Sequence, residues 1–247
     1  MKKIQTVLSF KDVQEDGYLF MGTKLGIVKK TPLKDFKNIR KNGLIALNLR
    51  EGDELLRAKI TYGDADIIFV TQDGNAIRFN ETDVRPMGRT ASGVKAISLR
   101  EGDVAVCMDI AVEDEKLLVV SENGYGKRTN LDEYKVQNRG GIGLITYKVS
   151  DKTGKVVGAT VCKEDDELML INNQGVAIRI NVSDISVTSR SAMGVKLMRT
   201  LEDEAVVTIA KISGDTNEEE EEMTLLDEPE DTNIIAEEVA TEVKDEE

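Results

Sequence analysis

Hydrophobic positions along this chain recur with a period of about 50 residues. A short apolar run leads into a polar turn that contains glycine, and a second glycine then precedes another apolar stretch. The four apolar runs are Leu19–Met21, Ile67–Val70, Leu117–Val120 and Leu168–Ile171. The turn glycines are Gly26, Gly74, Gly124 and Gly175, and the second glycines are Gly43, Gly93, Gly143 and Gly194. Self-similarity at such a period predicts an array of four structural repeats.

Each repeat has the pattern of four β-strands. The apolar run is the first strand, and the turn glycine allows the positive φ that a tight hairpin needs before a short second strand. The third strand alternates over Val94–Leu99, and the fourth is β-branched, as in Val156–Val161. This pattern predicts an all-β propeller with four-stranded blades. The predicted blades span about residues 15–63, 64–113, 114–164 and 165–212.

The start of the chain has the pattern of a fourth strand with no blade of its own. Ile4–Ser9 resembles the strand that ends the last repeat, but no first, second or third strand precedes it. We therefore expect residues 1–14 to be the outer strand of a preceding blade. The four blades are then the later part of a longer array, and residues 1–212 form its domain.

Charge divides this domain from the end of the chain. The 247 residues include 33 basic and 46 acidic side chains, for a net charge of −13. Residues 213–247 hold 16 acidic groups and one basic group, a net of −15, so the preceding residues have a net of +2. The run Glu218–Glu222 cannot bury apolar surface, and it predicts a disordered acidic tail. This tail is either a solubilising extension or an autoinhibitory segment that competes with a negatively charged ligand for basic groups of the domain.

Composition excludes several classes of protein. The chain has no histidine, which removes the usual general base and histidine metal ligands. Cys107 and Cys162 lie in apolar segments without a CxxC motif, as expected of buried, reduced thiols in a cytoplasmic protein. No apolar run approaches the roughly 20 residues of a membrane span. We predict no metal site, no cofactor and no membrane association.

Basic side chains recur at two fixed places in the repeat. Lys30, Arg78, Arg128 and Arg179 follow the turn glycine by four residues, and Arg40, Arg89, Arg139 and Arg190 precede the second glycine, with Lys41 and Lys127 beside them. In one interpretation these groups pair with acids within or between blades. In the other they form a basic stripe that binds the phosphates of duplex DNA without reading sequence. The glycine-rich loops around the second set favour DNA binding there, and the low aromatic content of 4% argues against stacking on single strands.

Five segments, in order through residues 1–212, resemble the C-terminal domain of DNA gyrase A, which is part of a bacterial type II topoisomerase. The segments are Gly26–Leu33, Asn48–Leu55, Val84–Gly88, Asn123–Thr129 and Gly154–Ala159. The resemblance implies a β-pinwheel, a propeller variant with strand exchange that usually has six blades, of which these would be the last four. It also implies that double-stranded DNA wraps around a basic perimeter, which directs negative supercoiling by the rest of gyrase A and by gyrase B.

Two functional motifs of that family are not fully present. Its glycine-rich heptapeptide box belongs to the first blade, and the chain has only a degenerate copy that retains Gln137, Arg139, Gly140, Gly141 and Gly143. Because the first blade is missing, we expect wrapping to be weakened. The catalytic tyrosine of the family lies in a separate breakage domain, so the tyrosines of this chain do not correspond to it, and the chain alone is not an enzyme.

Two alternatives stay open at this point. The related protein of topoisomerase IV has a shorter array, which four complete repeats would suit. A propeller that binds protein partners without wrapping DNA is the second alternative, since a fold does not fix a function. Burial of the second arginine set in ion pairs would favour this last interpretation.

Overall fold

The computed structural model describes Thr6 and residues 16–37, 43–201 and 203–214. These residues, apart from Gly214, belong to one compact unit, Met1–Ser213. The predicted outer strand at residues 4–9 falls outside the described part except for Thr6, as do Arg40, Lys41 and the acidic tail after Gly214. Among the described residues there is no helix with the length and apolar character of a membrane span.

The described strands follow the predicted repeat. The first repeat contains β1 Tyr18–Thr23, β2 Ile27–Pro32 and β3 Leu55–Thr61. The second contains β4 Asp66–Thr71, β5 Asn75–Asn80, β6 Val94–Lys95 and β7 Ala105–Ala111. The third contains β8 Lys116–Ser121, β9 Tyr125–Asn130, β10 Leu144–Ile145 and β11 Val156–Cys162. The fourth contains β12 Glu167–Asn172, β13 Ala177–Asn181, β14 Val195–Lys196 and β15 Val206–Ile212. Short 3-10 helices follow the second strands at Leu33–Phe36, Glu81–Asp83, Leu131–Glu133 and Val182–Asp184.

Neighbouring repeats exchange their third strands. The sheets have the orders β3-β1-β2-β6, β7-β4-β5-β10 and β11-β8-β9-β14, so each two-residue strand pairs with the second strand of the preceding repeat. The pairings between these strands are antiparallel. The all-β fold and the strand exchange implied by the family resemblance are confirmed. The prediction of a longer third strand over Val94–Leu99 within its own blade is wrong, and the last sheet, β15-β12-β13, has three strands.

The second glycine of the second, third and fourth repeats allows this exchange, whereas Gly43 of the first repeat has open space around it. Gly143 has a φ of +80°, and a side chain there would press against the carbonyl oxygen of Ala76 on β5. Gly93 meets Val28 and Gly194 meets Gly126 in the same way. An L-residue rarely adopts this φ, and its Cβ would separate the two backbones. The recurring glycine therefore marks the crossing point between repeats.

The apolar core lies between adjacent sheets. Ile67, Ile68, Phe69 and Val70 on β4 are all fully buried, because both faces of their sheet are covered. Phe69 packs in a cluster with Phe20 of the first repeat, and Ile68 packs in a cluster shared with the third repeat. A third cluster joins the third and fourth repeats. Continuous apolar runs are expected of strands that are buried on both faces.

The strands that end neighbouring repeats, β3, β7, β11 and β15, contact one another, which places them on the inner side of the array. The expectation that a strand of this kind is the outer strand of its blade is therefore wrong for the described strands. Asp109 on β7 links three of them. Its carboxylate lies 2.9 Å from the Lys59 Nζ atom and accepts hydrogen bonds from the Thr160 hydroxyl at 3.1 Å and the Val161 amide at 3.2 Å. Burial raises the pKa of Asp109, but Lys59 and Arg57 outweigh this effect, and the pKa lies below its usual value.

Gly124→Ala should destabilise the fold more than Gly175→Ala. The two glycines occupy equivalent hairpin turns of the third and fourth repeats, with φ values of +71° and +81°. Alanine at either position therefore suffers backbone strain of about 1–2 kcal/mol. A methyl group at Gly124 would also clash with the backbone of Met198 from the next repeat, whereas the space around Gly175 is open. We expect a further loss of about 1–3 kcal/mol for Gly124→Ala, measured by denaturant unfolding. Equal losses would contradict strand exchange at this turn.

Asp109→Asn should lower the free energy of unfolding by about 2 kcal/mol at pH 7, because it removes charge-assisted bonds in a buried setting. The folded-state pKa of Asp109 is lowered, so its stabilisation is present above the unfolded value of about 3.9 and fades as the pH falls below it. The difference between the two proteins should therefore shrink below about pH 4. Exposed Asp165 is the control, and Asp165→Asn should leave stability unchanged. A constant difference down to pH 2 would contradict this account.

Candidate nucleic-acid interface

The bases four residues after the turn glycine lie at the boundaries between repeats. Lys30 is buried and forms an ion pair of 3.2 Å with Glu81 of the next repeat. The Arg78 guanidinium donates to the Leu131 carbonyl at 3.0 Å, and that of Arg128 donates to the Ile185 carbonyl at 2.7 Å. Each side chain therefore reaches the 3-10 helix region of the following repeat.

Acidic groups compensate these bases. The Glu81 side chain is fully buried and also accepts hydrogen bonds from the Thr61 hydroxyl and the Gly63 amide, at 2.8 and 2.9 Å. Arg78 pairs with Asp66 at 2.8 Å, and Arg128 pairs with Glu164. Binding to Lys116 and Arg128 lowers the pKa of Glu164. The geometry here matches the interpretation in which these bases join repeats.

Arg179 has a different environment from its counterparts in the other repeats. Its side chain is 54% exposed and pairs with Glu167 of its own repeat, with the Arg179 Nε atom 2.6 Å from the carboxylate. Its strand, β13, is the outermost strand of a sheet that receives no exchanged strand among the described residues. Of the four bases at this place in the repeat, it is the most exposed.

The segments that connect each 3-10 helix to the exchanged strand run along the outer edges of the sheets. We call residues 85–93, 135–143 and 186–194 the rim loops. Each begins against the preceding repeat through a backbone bond of 2.8 Å. The three donors are the amides of Met87, Gln137 and Thr188, and the acceptors are the carbonyls of Lys30, Arg78 and Arg128. The backbone of the residues whose side chains join the repeats therefore also fixes where the rim loops start.

Arg89, Arg139 and Arg190 lie on the rim loops, and we call them the rim arginines. The Arg139 guanidinium donates to the carbonyls of Asp83 and Lys95, at 3.0 and 2.9 Å, and that of Arg190 donates to the Ile145 carbonyl at 2.6 Å. These acceptors are neutral. Within the described ranges, no carboxylate lies at ion-pair distance from any of the three guanidinium groups. Their positive charge is thus left uncompensated at partly exposed positions.

The degenerate heptapeptide uses its backbone to hold the rim loop. The Gly140 amide donates to the Ala96 carbonyl at 2.6 Å, and the Gly141 carbonyl accepts from the Ser98 amide at 2.8 Å. Gly143 provides the close approach to β5 described above. These contacts explain why glycines recur here, and they leave the Arg139 side chain at the surface.

Lys127 is buried beneath the last rim loop. Its ammonium group donates to the carbonyls of Ser189 and Arg190, at 2.7 and 2.5 Å. Burial lowers its pKa to about 8, with Glu133 raising it and Arg190 lowering it by smaller amounts. Although the sequence predicts Lys127 as a DNA contact, its charge faces the protein backbone.

Two exposed lysines extend the basic edge. Lys95 and Lys196 lie on the exchanged strands β6 and β14, two residues after the second glycine. The Lys196 ammonium sits 4.7 Å from the centre of the Tyr125 ring, and the Lys152 ammonium approaches the same ring at 5.6 Å. Comparison of the residues after the second glycines would have found Lys95 and Lys196. The contact with Tyr125 depends on strand exchange, which no local pattern shows.

The end of the sheets opposite the hairpin turns is acidic. The loop before β4 includes Asp64, the loop before β8 is Glu113–Glu115, and the loop before β12 includes Glu164–Asp166. Asp64, Asp66 and Glu113–Glu115 surround a concave surface around Arg78. Negative charge at this end repels phosphates, so electrostatics favours the basic outer edge as the surface for a polyanion.

Comparison with known proteins gives a consistent result. A family model described as DNA gyrase C-terminal domain, beta-propeller, matches residues 17–61, 65–106, 115–163 and 166–213. The chain is 65% identical over 221 residues to the DNA gyrase A protein of Clostridium acetobutylicum, which aligns 90% of this chain and 27% of that protein. It is 50% identical over 232 residues to the DNA gyrase A protein of Halalkalibacterium halodurans, covering 94% of this chain and 28% of that protein. The chain thus spans about a quarter of the length of these curated relatives.

Two solved structures share the fold. The structure of a DNA gyrase A C-terminal domain aligns with a TM-score of 0.73 and 34% identity, covering 82% of this chain and 68% of that chain. The crystal structure of a DNA topoisomerase IV C-terminal domain aligns with a TM-score of 0.81 and 26% identity, covering 89% and 69%. The four matched segments of the family model correspond to the four repeats of this structure. The chain belongs to the family of DNA gyrase C-terminal domains.

Proposed function

We propose that this chain binds duplex DNA without sequence preference and bends it along the outer edge of the array, as the C-terminal part of DNA gyrase A. One observation supports this most directly. The rim arginines occupy equivalent positions in three consecutive repeats, and their charge is compensated by no carboxylate in the described part of the chain. Regularly placed positive charge suits the regularly spaced phosphates of a duplex.

The proposed contacts differ in strength among the basic residues. Arg89, Arg139 and Arg190 are the main phosphate contacts, with Lys95 and Lys196 beside them. Arg40 and Lys41 lie outside the described residues, and we include them because they hold the same place in the first repeat. Arg179 is exposed enough to join this set. Lys127 adds to the positive potential of the edge while its ammonium group bonds to backbone carbonyls. Lys30, Arg78 and Arg128 are paired with acids, and we assign them to the joining of repeats.

Binding through phosphates gives position and curvature rather than sequence readout. Bending follows if the duplex stays in contact with successive rim loops, because the loops lie on the outer side of an array whose fourth strands meet on the inner side. We assign this role to residues 1–212 and treat residues 213–247 as an acidic extension. Strand cleavage, ATP hydrolysis and negative supercoiling would require the remainder of gyrase A together with gyrase B in the bacterial cytoplasm.

A topoisomerase IV-type role is the second candidate. The topoisomerase IV domain aligns with a higher TM-score than the gyrase domain does, 0.81 against 0.73. The identity of 65% to a DNA gyrase A protein over 90% of the chain supports the gyrase assignment more strongly. Both candidates use the same basic edge for DNA. The interpretation as a propeller for protein partners is less well supported, because the rim arginines are not buried in ion pairs.

Replacing the rim arginines by glutamine should weaken duplex binding in a salt-dependent way. Each lost phosphate contact lowers the slope of log affinity against log salt concentration by about 0.9, so the triple variant should lose close to three times that amount. Fluorescence anisotropy with the 247-residue chain and one labelled duplex, from low to moderate salt, measures both affinity and slope.

Arg100 provides the matched control, since it is an exposed arginine outside the rim loops. Arg100→Gln should change the slope much less than any rim variant. If the rim variants bind with wild-type affinity and slope, or if Arg100→Gln has the same effect as each of them, the rim arginines are not the DNA contacts.

A further inference from the structure

Two lysine side chains are buried directly beneath rim loops. Lys29 on β2 and Lys127 on β9 each follow the turn glycine by three residues, and both residues are fully buried. Lys29 donates to the carbonyls of Ala46, at 2.7 Å, and Arg89, and Lys127 donates to those of Ser189 and Arg190. In both cases an ammonium group bonds the backbone of a rim arginine. Burying an ammonium group is unfavourable unless it is bonded, and the bonds described here go to backbone carbonyls rather than to a carboxylate.

The fold does not require a lysine at this place. The second repeat has Ile77 there, fully buried, and a Cβ atom at Gly141 of the rim loop above would lie 3.5 Å from its side chain. That rim loop is held by the Arg139 side chain and by the Ser98 hydroxyl, which donates to the Gly140 carbonyl at 2.8 Å. The fourth repeat has Ile178. The same sheet position thus accepts an apolar residue. Where it holds a lysine, the ammonium group bonds the backbone of the rim loop above it.

We propose that Lys29 and Lys127 are positioning residues for DNA binding, which fix the backbone of Arg89 and Arg190 so that these arginines face the phosphates. The proposal rests on the proposed function, because it assigns a role within that same basic edge. A loop held at the carbonyl of its arginine loses less conformational freedom when a phosphate binds, and preorganisation of this kind increases affinity. Each buried ammonium group also adds positive potential beneath its arginine.

Burial and neighbouring charges set the pKa values of the two lysines. Burial, with repulsion from Arg89, lowers the pKa of Lys29 to about 8. The pKa of Lys127 is likewise about 8, where burial is the largest cause and Glu133 and Arg190 act in opposite directions. Glu133 also accepts a hydrogen bond from the Arg190 amide at 2.9 Å, so it holds the same loop. No group facing either lysine in the described structure has an ordinary pKa between about 7 and 9.

A double-mutant cycle tests the proposal. Lys127→Met keeps an apolar stem where Ile77 shows that one is tolerated, and it should lower duplex affinity about fivefold to tenfold at moderate salt, as loss of one phosphate contact would. Arg190→Gln should then add little in the Lys127→Met background. Arg139→Gln is the matched control, because its loop rests on Ile77, and it should keep its full effect there. Wild-type affinity for Lys127→Met, or a full effect of Arg190→Gln in that background, would overturn the proposal.

Hydrogen exchange without DNA separates this proposal from the proposed function. In Lys127→Met the amides of residues 186–194 should exchange faster, while those of residues 135–143 should exchange at the wild-type rate. Unchanged exchange in both loops would overturn the positioning role whatever the protein binds. If the rim arginine variants do not affect DNA binding but residues 186–194 still exchange faster, the proposed function fails and the loop-holding role stands.

The pH dependence gives a second readout that does not rely on one variant. Since both lysines are charged below about pH 8, wild-type affinity for duplex DNA should fall as the pH rises from 7 to 9. The Lys29→Met, Lys127→Met double variant should bind more weakly at pH 7 and show a flat profile over this interval. A wild-type profile that is flat, or a double variant that keeps the wild-type fall, would overturn the proposal.

Discussion

A close backbone approach between neighbouring repeats determines most of this structure. Where Gly143 crosses β5, the absence of a Cβ atom lets a two-residue strand from one repeat complete the sheet of the previous one. Two residues provide few hydrogen bonds, so the exchange also depends on the core clusters that adjacent sheets share. Because the rim loop is the segment that leads to this strand, the crossing also places one loop at the outer edge of each boundary.

The division of charge follows from the same geometry. Bases on the second strands, such as Lys30 and Arg128, point toward the next repeat and find acids or carbonyls there. On the rim loops, Arg139 and Arg190 donate to carbonyls of the exchanged strands and of the 3-10 helix region, which leaves their charge uncompensated. On the inner side, Asp109 joins three repeats. The net charge of −13 combines a nearly neutral domain having a basic edge with an acidic end of the chain.

Local pattern predicted the repeat, the hairpin turns and the long strands, because each depends on residues close in sequence. Gly74 and the apolar run before it define a hairpin without reference to any other part of the chain. The exchanged strands could not be located in this way, since Val94 and Lys95 pair with Val28 and Ile27 more than 60 residues earlier. The family resemblance supplied that feature, and the residues alone did not.

The environments of the basic residues also depend on contacts between residues far apart in sequence, which local pattern does not show. Lys29 and Lys30 follow each other in a polar segment that suggests an exposed strand, yet both are buried, one under a rim loop and one against Glu81. The partner of Lys30 lies 51 residues away in the next repeat. Glycine-rich surroundings did distinguish Arg139 as a loop residue, because such a loop cannot form a core. Sequence therefore identifies the candidate edge better than it identifies which base is free to bind.

In the proposed complex, DNA follows the outer edge from one rim loop to the next and is bent along it. A nicked circular plasmid, ligated in the presence of increasing amounts of the 247-residue chain and then freed of protein, measures this bending directly through its linking number. We expect a small shift of constant sign that grows with bound protein and is lost when the rim arginines are replaced by glutamine. No shift at saturation, with binding verified on the same plasmid, would contradict it.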